Sequence, residues 1–153
     1  LSKLTLAEAE EILAGTLARG AELGKALSVA VVDAGGHLIS VKRSDGARAL
    51  TPSIAIAKAY SSAIMERPTN MLYDWANSNP GFFAQLSTMA SHPIVATEGG
   101  VTIKRDGEIL GGLGVSGGTP AEDQTACEEV LTELGYEMTF AAWGRSGEGK
   151  SRG

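Results

Sequence analysis

"GGVTIKRDGEILGGLGVSGG", residues 99–118, decides how this chain is read. Two β-rich runs flank Asp106-Gly107, and that pair supplies the two positive-φ residues of a type I′ turn, so the stretch predicts a β-hairpin. Its second arm also spells G-x-G-x-x-G (Gly112, Gly114, Gly117) ahead of the helix opening Thr119-Pro120, the outline of a dinucleotide-binding loop. That loop requires a parallel strand in a βαβ unit, with an acidic residue ending the next strand roughly 20 residues on. Here the glycines lie on a hairpin arm, and "YEMTFAAW", residues 136–143, is all that remains for a further strand. Nucleotide binding is set aside. Glycine inside a strand costs stability, so Gly111, Gly112, Gly114 and Gly117 imply that a covering helix, another subunit or a ligand approaches the backbone closely.

Working outward, T-L-A-E at residues 5–8 predicts a capped helix, with Thr5 as N-cap, Glu8 reaching back, and Leu6, Ala9, Leu13 and Leu17 on one face until Gly24. "ALSVAVVDAGGHLISVKR", residues 26–43, predicts a hairpin turning at Ala34–Gly36. Thr51 as cap and Pro52 at the first helical position open a second helix carrying Ile56, Tyr60 and Ile64 to about Glu66. One or two short helices and a loop fill the span from Arg67 to Pro93. Thr119 with Glu122 caps a last helix through Ala126, Cys127, Val130, Leu131 and Leu134 to Gly135. The order α-β-β-α-(α)-β-β-α predicts an α+β fold, an antiparallel sheet flanked by helices. Residues 1–136 are expected to form one domain, and 137–153, rich in Gly, Ser and charge, a flexible or interface-forming tail.

Composition narrows the function classes. With 153 residues, 43% hydrophobic and 20% charged, the chain is expected to be one soluble domain. A net charge of −5 without a Lys/Arg cluster argues against nucleic acid as a partner. No apolar run reaches membrane-spanning length and no signal-peptide layout opens the chain, so no membrane partner is expected. A single cysteine, Cys127, fits a reducing compartment, and cytoplasm is the expectation. At helical spacing beside Ala126 and Val130, Cys127 reads as buried packing. No Cys/His pair has zinc spacing and no acidic run resembles a calcium loop, so no metal site is expected.

"SVAVVDAGGHLISVKRSDGA", "AIAKAYSSA", "RPT", "EGGVTIKRDGEILGGLGVSGG" and the Asp123-Gln124-x-x-Cys127 start of the last helix together resemble the GlcG/HbpS family, also found as the C-terminal part of PduO-type proteins. The likeness runs over residues 4 to 135. It implies a profilin-like fold, homo-oligomers from dimer to octamer, and haem or corrinoid binding in some members, hence a small-molecule-binding protein that takes haem or a related tetrapyrrole. A haem site needs an apolar slot, an axial ligand and cations for the propionates. Of the two histidines, His37 follows the Gly-Gly turn and reads as an exposed turn residue. His92, before Pro93, is the better axial-ligand candidate, its plain alternative being a surface loop histidine. The PduO-type branch is associated with a histidine on the first helix, and this first helix has none. Thr69, in "RPT", stands where some relatives place a pocket residue; its hydroxyl could instead cap the following turn.

An alternative is a cofactor-independent enzyme acting on a small carboxylated or aromatic catabolite. Its parts would be Glu98 as acid or base, Tyr60 as donor, and Arg43 and Lys58 as anion anchors. The expected cavity lies between one sheet face and its helices, where Glu98 with Gly99-Gly100, the Gly112/Gly114 strand, and Lys58 with Tyr60 would converge. Each residue has a plain alternative: an ion pair of Arg43 with Asp45, a solvated Lys58, a core Tyr60, an exposed Glu98. "MLYDWANSNPGFF", residues 71–83, is the expected interface between copies, and Trp143 and Arg145 in the tail could close a neighbour's pocket.

Overall fold

Asp106 and Gly107 both take positive φ, 53° and 75°, as a type I′ turn demands. On that turn β3 (Gly100–Arg105) folds back into β4 (Glu108–Ser116). The structure, a computed structural model, describes residues 3–140. β4 pairs antiparallel with β3 on one side and with β1 (Ser28–Asp33) on the other, and β2 (Leu38–Arg43) completes a sheet in the order β2-β1-β4-β3. The glycine-rich arm is therefore a central antiparallel strand, and the fold is α+β as expected.

Alternation along the strands sends side chains to two different layers. Val29, Val31, Val101, Ile103, Leu113 and Val115 join the main core with Ile12 and Leu13 of α1 (Leu6–Glu22) and Val130 and Leu131 of α5 (Pro120–Glu133). On the other face Ala30 and Val32 meet Ala55, Ala59 and Ala63 of α2 (Thr51–Ile64). This second layer is made of small residues. A Cβ added at Gly112 would stand 2.2 Å from the Ala59 carbonyl oxygen, and one at Gly114 would stand 2.0 Å from that of Ala55. The covering helix alone accounts for these two glycines, and the expected ligand space beside Gly112 and Gly114 is filled by α2.

Thr5 and Thr119 each close a capping box, with Glu8 and Glu122 as the reciprocal partners. The Thr5 and Thr119 amides donate to those carboxylates at 3.0 and 2.8 Å. These backbone hydrogen bonds, the largest cause, hold both carboxyl groups below their ordinary value of 4.5. A lowered carboxyl pKa means the stabilisation is complete above 4.5 and is lost as pH falls through the folded value. Amide exchange protection at Thr5 and Thr119 is expected to collapse in that acid range while β4 stays protected. Equal loss at all three places would show that the caps contribute nothing separate.

Two local expectations need correction. Thr51 is not an N-cap: it is buried inside the first turn, donating to the Arg48 carbonyl at 2.7 Å and sharing a hydrogen bond with the Ser28 hydroxyl. Nor does Thr69 cap the 3₁₀ turn Thr69–Leu72, because its hydroxyl is engaged with Gly100 of β3. The span from Arg67 to Pro93 holds that turn plus α3 (Tyr73–Ser78) and α4 (Pro80–Met89). Beyond 136 the Glu137 amide donates to the Lys104 carbonyl, and the Lys104 ammonium to the Thr139 carbonyl. Trp143 and Arg145 fall outside the described residues. Among the described residues no helix is long and apolar enough to cross a membrane.

Candidate functional site

Lys58 is 4% exposed, and its position on α2 aims the side chain at the sheet end where β3 begins. Its ammonium donates to the Val115 carbonyl at 2.8 Å and pairs with Asp123 Oδ2 at 3.3 Å. The other Asp123 oxygen accepts from the Gly118 amide. Burial is the larger influence on this carboxyl and lifts it above its ordinary value, against the pull of Lys58. Gly99, at φ 109°, passes through the same place: its amide donates to Gln124 Oε1, and its carbonyl receives the Cys127 thiol. Burial raises the pKa of that thiol, which stays protonated and acts as packing.

The glycines of this bend have a direct cause. A Cβ on Gly99 would lie 2.8 Å from Lys58 Nζ, and one on Gly100 would lie 2.5 Å from the Lys58 carbonyl oxygen and 2.7 Å from Thr69 Cγ2. Thr69 Oγ1 accepts from the Gly100 amide at 3.0 Å. Lys58, Thr69, Gly99 and Gly100 thus meet, as expected, but in a closed polar knot that joins α2, the 3₁₀ turn, β3 and α5. Asp123 and Gln124, the partners that close it, were legible as part of the family motif at the start of the last helix, but not as partners of Lys58 and Gly99. With its charge committed to Asp123 and its ammonium buried, Lys58 is not an exposed anchor for a ligand anion.

The remaining candidates lie apart from the knot. Glu98 is half-buried just before Gly99. Arg43 is exposed at the end of β2 opposite Ser28, and two strand spacings, roughly 10 Å, separate β2 from β4. Arg43 therefore stands apart from Lys58, whose ammonium is paired with Asp123. Tyr60 does not face the sheet: its hydroxyl accepts from the Ser91 amide at 3.0 Å, and its ring edge abuts Gly36 in the first hairpin turn.

Against that ring stands His92, half-buried, with centroids 5.0 Å apart at 65°. Neither imidazole nitrogen of His92 makes a hydrogen bond among the described residues. The β2–α2 trough is a strip of exposed aliphatic side chains on the α2 face of the edge strand. Leu38 and Val41 of the edge strand pair with Val32 and Ala30, which places them on the α2 face of the sheet. From α2, Ile56 packs against the Ala30 and Val32 layer, and Ile64 reaches Gly36. Leu38, Val41 and Ile64 remain exposed. His37 sits elsewhere, beside Asp33 and Gly35 in a cleft of about 420 Å³ that Lys3 and Glu108 also line.

A family model described as "Haem degrading protein HbpS-like" matches residues 4–132. The chain belongs to this family. GlcG of Escherichia coli is 33% identical over 90 residues, a match spanning 59% of this chain and 63% of GlcG. A double mutant of HbpS from Streptomyces reticuli superposes with a TM-score of 0.78 at 25% identity, covering 88% of this chain and 89% of its own. The PduOC domain, solved as a haem complex, has a TM-score of 0.76 at 24% identity over 84% of this chain and 92% of that one, and shares the fold. The motifs thus pointed to the family that the family model matches.

Proposed function

We propose that the protein binds haem, with His92 as axial ligand and the β2–α2 trough as one apolar wall. The half-buried His92 ring, held edge-on by Tyr60 and without a hydrogen bond on either nitrogen among the described residues, carries this reading. An imidazole nitrogen without another partner can ligate iron, and exposed aliphatic groups on the β2–α2 face suit a porphyrin face. The family's description and the haem held by PduOC support the choice of ligand. The residues fit the group. Bound haem would supply a redox-active iron. His92 would occupy an axial position, Tyr60 would keep its ring oriented through the Ser91 hydrogen bond, and Leu38, Val41 and Ile64 would exclude water. Arg43, at the end of β2, is the cation for a propionate. Association of copies through the exposed Tyr73 and Phe82 of α3 and α4 belongs to the same reading.

Haemin titrated into the protein is expected to give a Soret band typical of imidazole ligation. His92→Ala should lose that band and weaken binding by about tenfold or more, whereas His37→Ala should titrate like the parent. A His92→Ala protein with an unchanged spectrum and affinity would overturn the proposal.

A further inference from the structure

On the side of the molecule formed by α5, away from the trough, a groove of about 450 Å³ runs between the 3₁₀ turn, α5 and residues 138–140. Met71, Met138, Phe140 and Pro68 form its apolar wall, and Glu128 and Thr132 its polar edge. That volume lies within the range of small-molecule pockets, and thioethers beside a phenyl ring make an adaptable, polarisable lining. Glu128 is an oriented carboxylate: Gln124 Nε2 donates to it at 3.1 Å, and Gln124 is itself buried and fixed by the Gly99 amide. Across α5, a second cleft shares Glu128 and Thr132 and adds Arg19, Glu129 and Glu133. Arg19 pairs with Glu22, Glu129 and Glu133, so with Glu128 four carboxylates stand against one guanidinium. Lys104, the neighbouring cation, lies at the Phe140 end, where its ammonium donates to the Thr139 carbonyl.

We propose that this groove binds an organic cation with an apolar body, its ammonium against Glu128 and its body against Met71, Met138 and Phe140. Charge and lining select that class together. An anion such as a haem propionate is repelled by the carboxylates. A neutral apolar ligand would strip water from Glu128 without replacing it, and a hard inorganic cation such as sodium or magnesium gains nothing from the thioethers. The site is independent of His92, so it stands or falls separately from haem binding.

Phenethylammonium is the probe, with phenethyl alcohol and phenylacetate as its neutral and anionic counterparts, followed by the methyl signals of isotope-labelled methionine. The ammonium is expected to shift Met71 and Met138 saturably and to leave Met65 and Met89 in place. The alcohol should bind about tenfold more weakly and the carboxylate more weakly still. Glu128→Gln, at an exposed position, should keep the melting temperature and bring the ammonium down to the affinity of the alcohol. Equal binding of the three probes, an unchanged preference in Glu128→Gln, or no shift at either groove methionine would each overturn the proposal.

Discussion

Gly114→Ala is expected to lower stability by about 3 kcal/mol or more, the upper end of overpacking costs, and so to drop the melting temperature by roughly 6–12 °C. The added carbon would lie 2.0 Å from the Ala55 oxygen and 2.5 Å from the Ala59 nitrogen. Both obstacles are helix backbone, so no side chain can rotate away, and α2 would have to lift from the sheet. Gly114 sits between Ala30 and Gly100 in the centre of the sheet, so such a shift would disturb every layer on that face. Gly81→Ala in α4 is the control, because nothing lies within 4 Å of its added carbon. There the change should be neutral or stabilising by up to about 1 kcal/mol. If Gly114→Ala instead melts like the parent protein and only loses a ligand, the space beside β4 is a pocket after all.

Lys58→Met should cost about 3–5 kcal/mol at neutral pH, because it leaves the carboxylate of Asp123 buried without its cation. Burial already lifts the Asp123 pKa above its ordinary value of 3.8, and removing the opposing charge lifts it further. For a carboxyl raised in the folded state, the penalty of ionisation is absent below 3.8, grows as pH rises towards the folded value and is complete above it. The gap between Lys58→Met and the parent should therefore narrow on acidification. Urea unfolding of both proteins at neutral pH and near pH 4 would measure this. A gap that is small at neutral pH, or equal at both, would return Lys58 to the role of a solvated anion anchor.

Haem binding is expected to survive neither of these variants intact, for different reasons from His92→Ala. Gly114→Ala moves the helix that carries Ile56, Tyr60 and Ile64, whereas His92→Ala leaves that stripe in place and removes one ligand. Stability measured beside the Soret titration separates them.

What was legible in the residues was whatever rests on neighbours in the chain. Thr5 with Glu8, Thr119 with Glu122, and Asp106 with Gly107 act over one to three residues through φ, ψ and nearby amides, so their types and spacing specified the helix starts and the second hairpin. The hairpin excluded a dinucleotide loop, the alternation of elements implied the α+β fold, and the ordered motifs implied the family. Tertiary structure decided the rest, because each remaining question concerned a partner far along the chain. That glycines at 112 and 114 meant close approach was readable, and the second helix was expected to face them across a cavity; that the backbone of α2 itself fills that space was not. Periodicity put Tyr60 on a stripe with Ile56 and Ile64, but only the path of residues 91–94 over α2 turned that stripe outward to His92. Lys58 looked like a free cation in sequence, since its partner Asp123 stands 65 residues away. A residue's pattern tells which side of its own element it occupies, and only the packed chain tells what lies against that side.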